Sequence, residues 1–174
     1  GGKYITQNIN ETIFYYLTHF ANQDHLQAQF SLGVIYYEGK YIKQDINKSI
    51  YYYSLAANQN YPLAQYNLGF IYEEGKYIAR DINKSIYYYS LAANQNYLGA
   101  QFNLGVIYYE GKYIARDINK SIYYYSLAAN QNYPEAQFNL GSIYYEGKYI
   151  KQDINISIYY YSLATNQNFP NAQF

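Results

Sequence analysis

The sequence contains no cysteine and only two histidines, His19 and His25. The first absence excludes a disulfide framework, a zinc finger, a thiolate cluster and a cysteine nucleophile. The second leaves too few imidazoles for a histidine-built metal site or catalytic triad. Charge is also scarce: 14% of the 174 residues are charged, against roughly 25% in an average soluble domain. The 12 basic and 12 acidic residues cancel, so the chain lacks the net positive field expected of a nucleic-acid or anionic-membrane binder. No apolar run nears the roughly 18 residues that read as a membrane span, and no signal-like segment opens the chain. A start at Gly1-Gly2 without methionine reads as the boundary of a piece of a longer protein. What is abundant is apolar character, half the residues, and tyrosine, of which there are 30. So many tyrosines exceed any catalytic need and point to a repeated structural position.

The repeat is explicit. Ala-Gln-aromatic recurs at Ala28, Ala64, Ala100, Ala136 and Ala172, each step being 36 residues, and residues 64–99 and 100–135 are identical at 31 of 36 positions. Four full units, 28–63, 64–99, 100–135 and 136–171, are flanked by a partial unit, 1–27, and by the start of another, 172–174, and are read as one repeat domain. In the partial unit Gly2-Lys3-Tyr4-Ile5 matches Gly39-Lys40-Tyr41-Ile42. A fixed period of this length is the signature of stacked supersecondary units.

Each unit reads as two helices. Ala28, Leu32, Ile35 and Tyr36 fall on one helical stripe, with Gly33 in its middle. Glycine there costs about 1 kcal/mol relative to alanine, so its return at Gly69, Gly105 and Gly141 implies that a neighbouring backbone passes too close for a Cβ. Gly39 ends this helix and Asp45 is placed to cap the next, which carries Ile46, Ser49, Ile50, Tyr53, Ala56 and Ala57 at helical spacing. Asn60 suits the left-handed turn after the second helix, and Pro62 suits the first turn of the following one. A β reading, including a propeller blade, is weaker. Tyr51-Tyr52-Tyr53 continues into Ser54-Leu55-Ala56-Ala57 without period two, and turn signals are too few for four strands. Three consecutive tyrosines span about 200° of a helix, so some of their surface must remain at repeat contacts or in solvent.

The stripe Ala28…Leu32-Gly33…Tyr36…Gly39…Asp45…Ser49…Tyr52-Tyr53…Ala56-Ala57 resembles the Sel-1-like repeat, a relative of the tetratricopeptide repeat. The 36-residue period and the long loop from Gly39 to Asp45 favour the Sel-1-like class. The resemblance implies an all-α fold, a right-handed α-solenoid of stacked helix-turn-helix units with first helices on a concave surface. The sequence departs from the family at the loop tyrosines Tyr41, Tyr77, Tyr113 and Tyr149. It also departs at Asn60, Asn96, Asn132 and Asn168 in place of a closing glycine, and at Ser49, Ser85, Ser121 and Ser157 in place of an alanine.

No constellation supports catalysis, a metal or a cofactor. The histidines are read as surface and helix-end residues, and the recurring aspartates as caps. The glycines form neither a dinucleotide fingerprint nor a phosphate loop. Asn47-Lys-Ser49 and its copies match a glycosylation sequon, but within a helix whose serine replaces a packed alanine. Glu38, Glu74, Glu110 and Glu146 close the first helix against its macrodipole; they make either an inter-repeat ion pair or a partner-facing acidic row, with Lys40, Lys76, Lys112 and Lys148 as offsets.

The copies differ mainly on one face of the first helix and at loop positions 43–44. Either drift after duplication or selection by a partner produces that pattern. By the resemblance, the varying face is the concave one. A partner would then meet Phe30, Val34, Tyr37 and Glu38; Tyr66, Phe70, Glu73 and Glu74; Phe102, Val106, Tyr109 and Glu110; and Phe138, Ser142, Tyr145 and Glu146. The expected function is a non-enzymatic scaffold that binds a protein or peptide through aromatic anchors, in the cytoplasm, with the endoplasmic reticulum as the alternative by family resemblance. The competing expectation is a self-assembling array that associates through uncapped ends. A hydrolase on a helical solenoid finds no matching residues.

Overall fold

The computed structural model describes residues 2–40 and 42–167, with side chains from residue 11 onward. Tyr41, Asn168 and the Ala172–Phe174 start of a further repeat lie outside the described residues. Among the described residues the chain is entirely helical, with nine helices and no strand. These are α1 (Gly2–Ala21), α2 (Leu26–Glu38), α3 (Ile46–Asn58), α4 (Pro62–Glu74), α5 (Ile82–Asn94), α6 (Leu98–Glu110), α7 (Ile118–Asn130), α8 (Pro134–Glu146) and α9 (Ile154–Thr165). Within the first unit α1 packs on α2, α2 on α3 and α3 on α4, and within the second α6 packs on α7, α7 on α8 and α8 on α9, the helix pairing of an α-solenoid repeat. The chain divides into two compact units, Gly1–Leu91 and Ala92–Phe174.

Local chemistry accounts for the helix boundaries. Asp45, Asp81, Asp117 and Asp153 each accept the backbone N–H three residues on at 3.0 Å, so one unpaired donor of each second helix is satisfied. Asn60, Asn96 and Asn132 adopt φ of 61°, 63° and 61°, the left-handed turn expected of them. The chain departs from its internal alignment at the start: residues matching the Gly39–Ile42 loop continue straight into α1.

In the first unit, Tyr53, Ala56 and Ala57 of α3 bury themselves against Ala64, Leu68 and Ile71 of α4. In the second, Tyr125, Ala128 and Ala129 of α7 meet Ala136, Leu140 and Ile143 of α8 in the same way. The tyrosine triplet divides as helix geometry requires. Tyr53 is buried, Tyr52 stacks on Tyr36 with centroids 5.7 Å apart, and Tyr51 is 57% exposed. Lys48 rests over that Tyr36 ring at 5.1 Å.

The reason for the mid-helix glycine differs from the expectation. A Cβ on Gly33 would collide with the Tyr53 ring, not with a backbone, and Gly105 meets Tyr125 in the same way. The pair is also tied by Ser49, whose buried Oγ donates to the Gly33 carbonyl at 2.8 Å. That commits the sequon serine to the core.

Gln29, Gln65, Gln101 and Gln137 of the Ala-Gln-aromatic motifs are buried and bond neighbouring helices together. Gln29 donates to the Ala21 carbonyl at 3.2 Å and accepts from Gln59 Nε2 at 2.8 Å, joining α1, α2 and the end of α3. Gln101 accepts from Gln131 at 2.7 Å, and Gln137 donates to the Ala129 carbonyl at 3.1 Å.

Candidate functional site

Both units carry the same pocket between successive first helices. In the first unit it opens between α2 and α4 with a volume of about 190 Å³. Apolar Val34 and Ile71, the rings of Tyr37, Tyr53 and Phe70, and the polar Glu38 and Asn67 line it. In the second unit the equivalent pocket lies between α6 and α8 and measures about 300 Å³. It is lined by Val106, Tyr109, Glu110, Tyr125, Asn139, Ser142 and Ile143, the same positions two repeats on. Serine at position 142, where the first pocket has Phe70, goes with the larger volume.

The buried second-helix tyrosine fixes each pocket. The Tyr53 hydroxyl bonds Asn67 and the Tyr125 hydroxyl bonds Asn139, which joins the α3 or α7 ring to the next first helix. Burial pushes both phenols well above the usual tyrosine range, and the amide partner acts the other way. Tyr37 and Tyr109 are raised as well, first by burial and then by the carboxylates of Glu74 and Glu146. Tyr37 donates to Glu74 at 3.4 Å, so the repeat-to-repeat partner seen for that carboxylate is a tyrosine. Lys76, Lys112 and Lys148 lie over the rings of Tyr77, Tyr113 and Tyr149 at 4.7, 5.1 and 5.1 Å.

Of the residues expected on a partner-facing surface, the pockets gather Val34, Tyr37, Glu38 and Phe70 in one unit and Val106, Tyr109, Glu110 and Ser142 in the other. The aromatic residues one turn earlier sit lower. Phe30 and Phe102 pack on Tyr53 and Tyr125 at 5.6 and 5.7 Å, Tyr66 on Tyr89 at 5.5 Å, and Phe138 on Tyr161 at 5.5 Å. These four are half-buried supports for the core tyrosine. Glu73 accepts the Tyr89 hydroxyl at 2.7 Å. Tyr145 and Glu146 are exposed on α8 and line neither pocket. Sequence reasoning missed Tyr53, Tyr125, Asn67 and Asn139 as lining residues. The recurrence of asparagine at 67, 103 and 139 was the available signal.

The loop between first and second helix is built by position 44 and its copies. Gln44 donates to the Tyr37 carbonyl at 2.6 Å, and Gln152 to Tyr145 at 2.6 Å. Arg80 and Arg116 make the same bond to Glu73 and Tyr109 at 2.6 Å and add a second, to Glu74 at 3.0 Å and Glu110 at 3.1 Å. Either residue therefore caps the helix C-terminus, where the orphan carbonyls lie. The arginines also bring positive charge to a terminus that ends on glutamate.

The histidines have local roles. His25 Nδ1 accepts the Ala28 N–H at 3.4 Å as the cap of α2, and His19 pairs with Gln23 at 3.2 Å. Among the described residues no three histidine, aspartate or glutamate side chains form a metal-binding group. No helix among them is long and apolar enough to cross a membrane.

Comparison with known structures gives three informative likenesses. The c5321 protective antigen of uropathogenic Escherichia coli, which displays an SLR fold, is 31% identical with a TM-score of 0.81 over 88% of this chain and 33% of its own. A Sel1 repeat protein from Oxalobacter formigenes is 30% identical with a TM-score of 0.78, over 94% of this chain and 66% of its own. This chain thus spans a third of the first protein's length and about two thirds of the second's. Cysteine-rich protein B of Helicobacter pylori, at 23% identity and a TM-score of 0.57 over 75% of this chain and 93% of its own, shares the fold. A search of curated proteins gives no match. The Sel1 repeat matches residues 26–61, 62–97, 99–133 and 134–169, frames that begin at or beside the first residue of each first helix. With most of its length in these four segments, the chain belongs to the Sel1 repeat family, whose members generally serve as scaffolds for protein interaction.

Proposed function

We propose that this chain is a non-catalytic scaffold that seats a protein or peptide partner on the face formed by its first helices. The observation that carries the reading is the recurrence of one pocket, with the same lining positions, in both units. Each pocket combines aromatic walls with a few polar groups. That mixture suits insertion of partner side chains, because rigid tyrosines give large contact area at small entropic cost. The test is site-specific photo-crosslinking from Val34 and Val106 on the first helices and from Tyr51 and Tyr123 on the second. Cross-links to a partner protein should form from the first pair. Cross-links that form mainly from the second pair would refute this choice of face.

Self-assembly is the second reading, and one feature favours it. The first tyrosine of each second-helix triplet, Tyr51, Tyr87, Tyr123 and Tyr159, is more than half exposed, a row of apolar rings repeated along the chain. Light scattering over a concentration series separates the two, since an adaptor stays monomeric.

A further inference from the structure

We infer that the pocket between α2 and α4 takes the cationic side chain of a partner peptide, a lysine or an arginine. This rests on the first-helix face being the docking face and adds the chemistry of its anchor.

Three rings, Tyr37, Tyr53 and Phe70, line this pocket together with the Glu38 carboxylate and the Asn67 amide, and among the described residues no cationic one lines it. A cation over such rings is attracted by their quadrupoles, and a carboxylate at the rim adds a charge-assisted partner. The surroundings are negative too. Glu74 holds the Tyr37 hydroxyl, and the carboxylates of Glu74 and Glu38 act on the Tyr37 and Tyr53 phenols respectively. The cation acting on Tyr37 is Lys76, and its ammonium is placed over the Tyr77 ring at 4.7 Å.

This molecule already seats its own cations on tyrosine. Lys48, Lys84 and Lys120 lie over Tyr36, Tyr72 and Tyr108 at 5.1, 5.0 and 5.0 Å, and Arg116 lies over Tyr149 at 4.3 Å. The equivalent pocket of the second unit differs in both respects that matter. Ser142 supplies no third ring, and the Arg116 guanidinium lies 5.9 Å from the Tyr109 centroid. The first unit has Gln44 at that arginine's position. A cationic anchor therefore belongs in the first pocket, and the wider second pocket fits an uncharged one.

The experiment titrates the isotope-labelled 174-residue chain with N-acetyl-lysine amide, N-acetyl-arginine amide and the uncharged N-acetyl-norleucine amide, following backbone amides by NMR. The cationic probes should shift Val34, Asn67 and Ile71 and bind about threefold more tightly than norleucine. Glu38→Gln, at an exposed position that leaves the fold intact, should narrow that preference. If norleucine binds the pocket as well as lysine, or Glu38→Gln leaves the ratio unchanged, the cation assignment is wrong while the docking face stands. If no probe shifts a first-helix amide, or shifts gather around Tyr51, both fall.

Discussion

The contact between each mid-helix glycine and the following tyrosine gives the sharpest prediction. In Gly105→Ala the new methyl would stand 2.6 Å from Tyr125 Cε1 and 2.9 Å from Cγ, with Cδ1 nearer still. Real Cβ atoms do not approach so closely, so the ring or the helix must move. The ring has little room: Phe102 packs on it at 5.7 Å and its hydroxyl is bonded to Asn139. The helices are clamped as well, by Ser121 Oγ donating to the Gly105 carbonyl at 2.8 Å. Alanine returns about 1 kcal/mol of helix propensity, whereas overpacking a rigid core costs about 1–3 kcal/mol. With ring and helices both held, the cost should lie near the upper end, for a net loss of about 1–2 kcal/mol. That lowers Tm by about 2–8 °C in a chain of this size. Thermal melts followed by circular dichroism measure it, and in a double-mutant cycle with Tyr125→Leu, which removes the ring, the double variant should lose less stability than the sum of the single losses. A Gly105→Ala protein more stable by the full propensity gain would sink the reasoning, because the glycine would then answer to nothing in the packing.

Two further outcomes follow from buried polar groups. Gln29→Ala removes one bond each from the Ala21 carbonyl and the Gln59 amide, which keep their bonds to the Asp24 backbone, and should cost about 1–2 kcal/mol in urea unfolding; a loss below 0.5 kcal/mol would refute the role of glutamine as a link between repeats. Tyr53 and Tyr125 have phenols raised by burial, so the folded state holds their protons longer than the unfolded chain does. Their contribution is complete below the unfolded tyrosine pKa of about 10 and is lost as pH rises above it. Phenolate absorbance should therefore end in a late phase that coincides with alkaline unfolding, and uniform titration near pH 10 without unfolding contradicts the burial argument.

The helix pairs were legible because their signals are local. Asp45 caps a residue three positions away, Asn60 supplies its own positive φ, and the helical spacing of Tyr51, Tyr52 and Tyr53 dictates that they point to different surroundings. What the sequence hides are partners on other helices. Gly33 was correctly read as a close approach, but the approaching group, Tyr53, lies on the next helix. Gln29 looks like an ordinary polar residue until Gln59, 30 residues on, is placed beside it. The pockets were half legible. Variation along the first helix marked Val34, Tyr37, Phe70 and Tyr109, and also the position of Asn67 and Asn139, which is serine at 31, while the second-helix tyrosine that completes each pocket is constant and carries no such mark.

The differences between copies also divide by what each one preserves. At positions 43 and 44, Lys-Gln and Ala-Arg each bring one positive charge, and either residue at 44 donates to the same helix-end carbonyl at 2.6 Å. Such an exchange keeps the helix-end bond, which is what drift permits. Glu73 and Ser142 are different, because each reaches the hydroxyl of a second-helix tyrosine, Tyr89 at 2.7 Å and Tyr161 at 3.0 Å. A buried phenol needs a partner. A change at either place alters how that need is met and also reshapes the first-helix surface. Packing and surface chemistry are coupled at these positions, so a substitution that tunes the face must also keep the core tyrosine satisfied. Glutamate and serine can each bond the phenol directly, whereas in the copies with valine and tyrosine at these positions Asn67 and Asn139 meet Tyr53 and Tyr125.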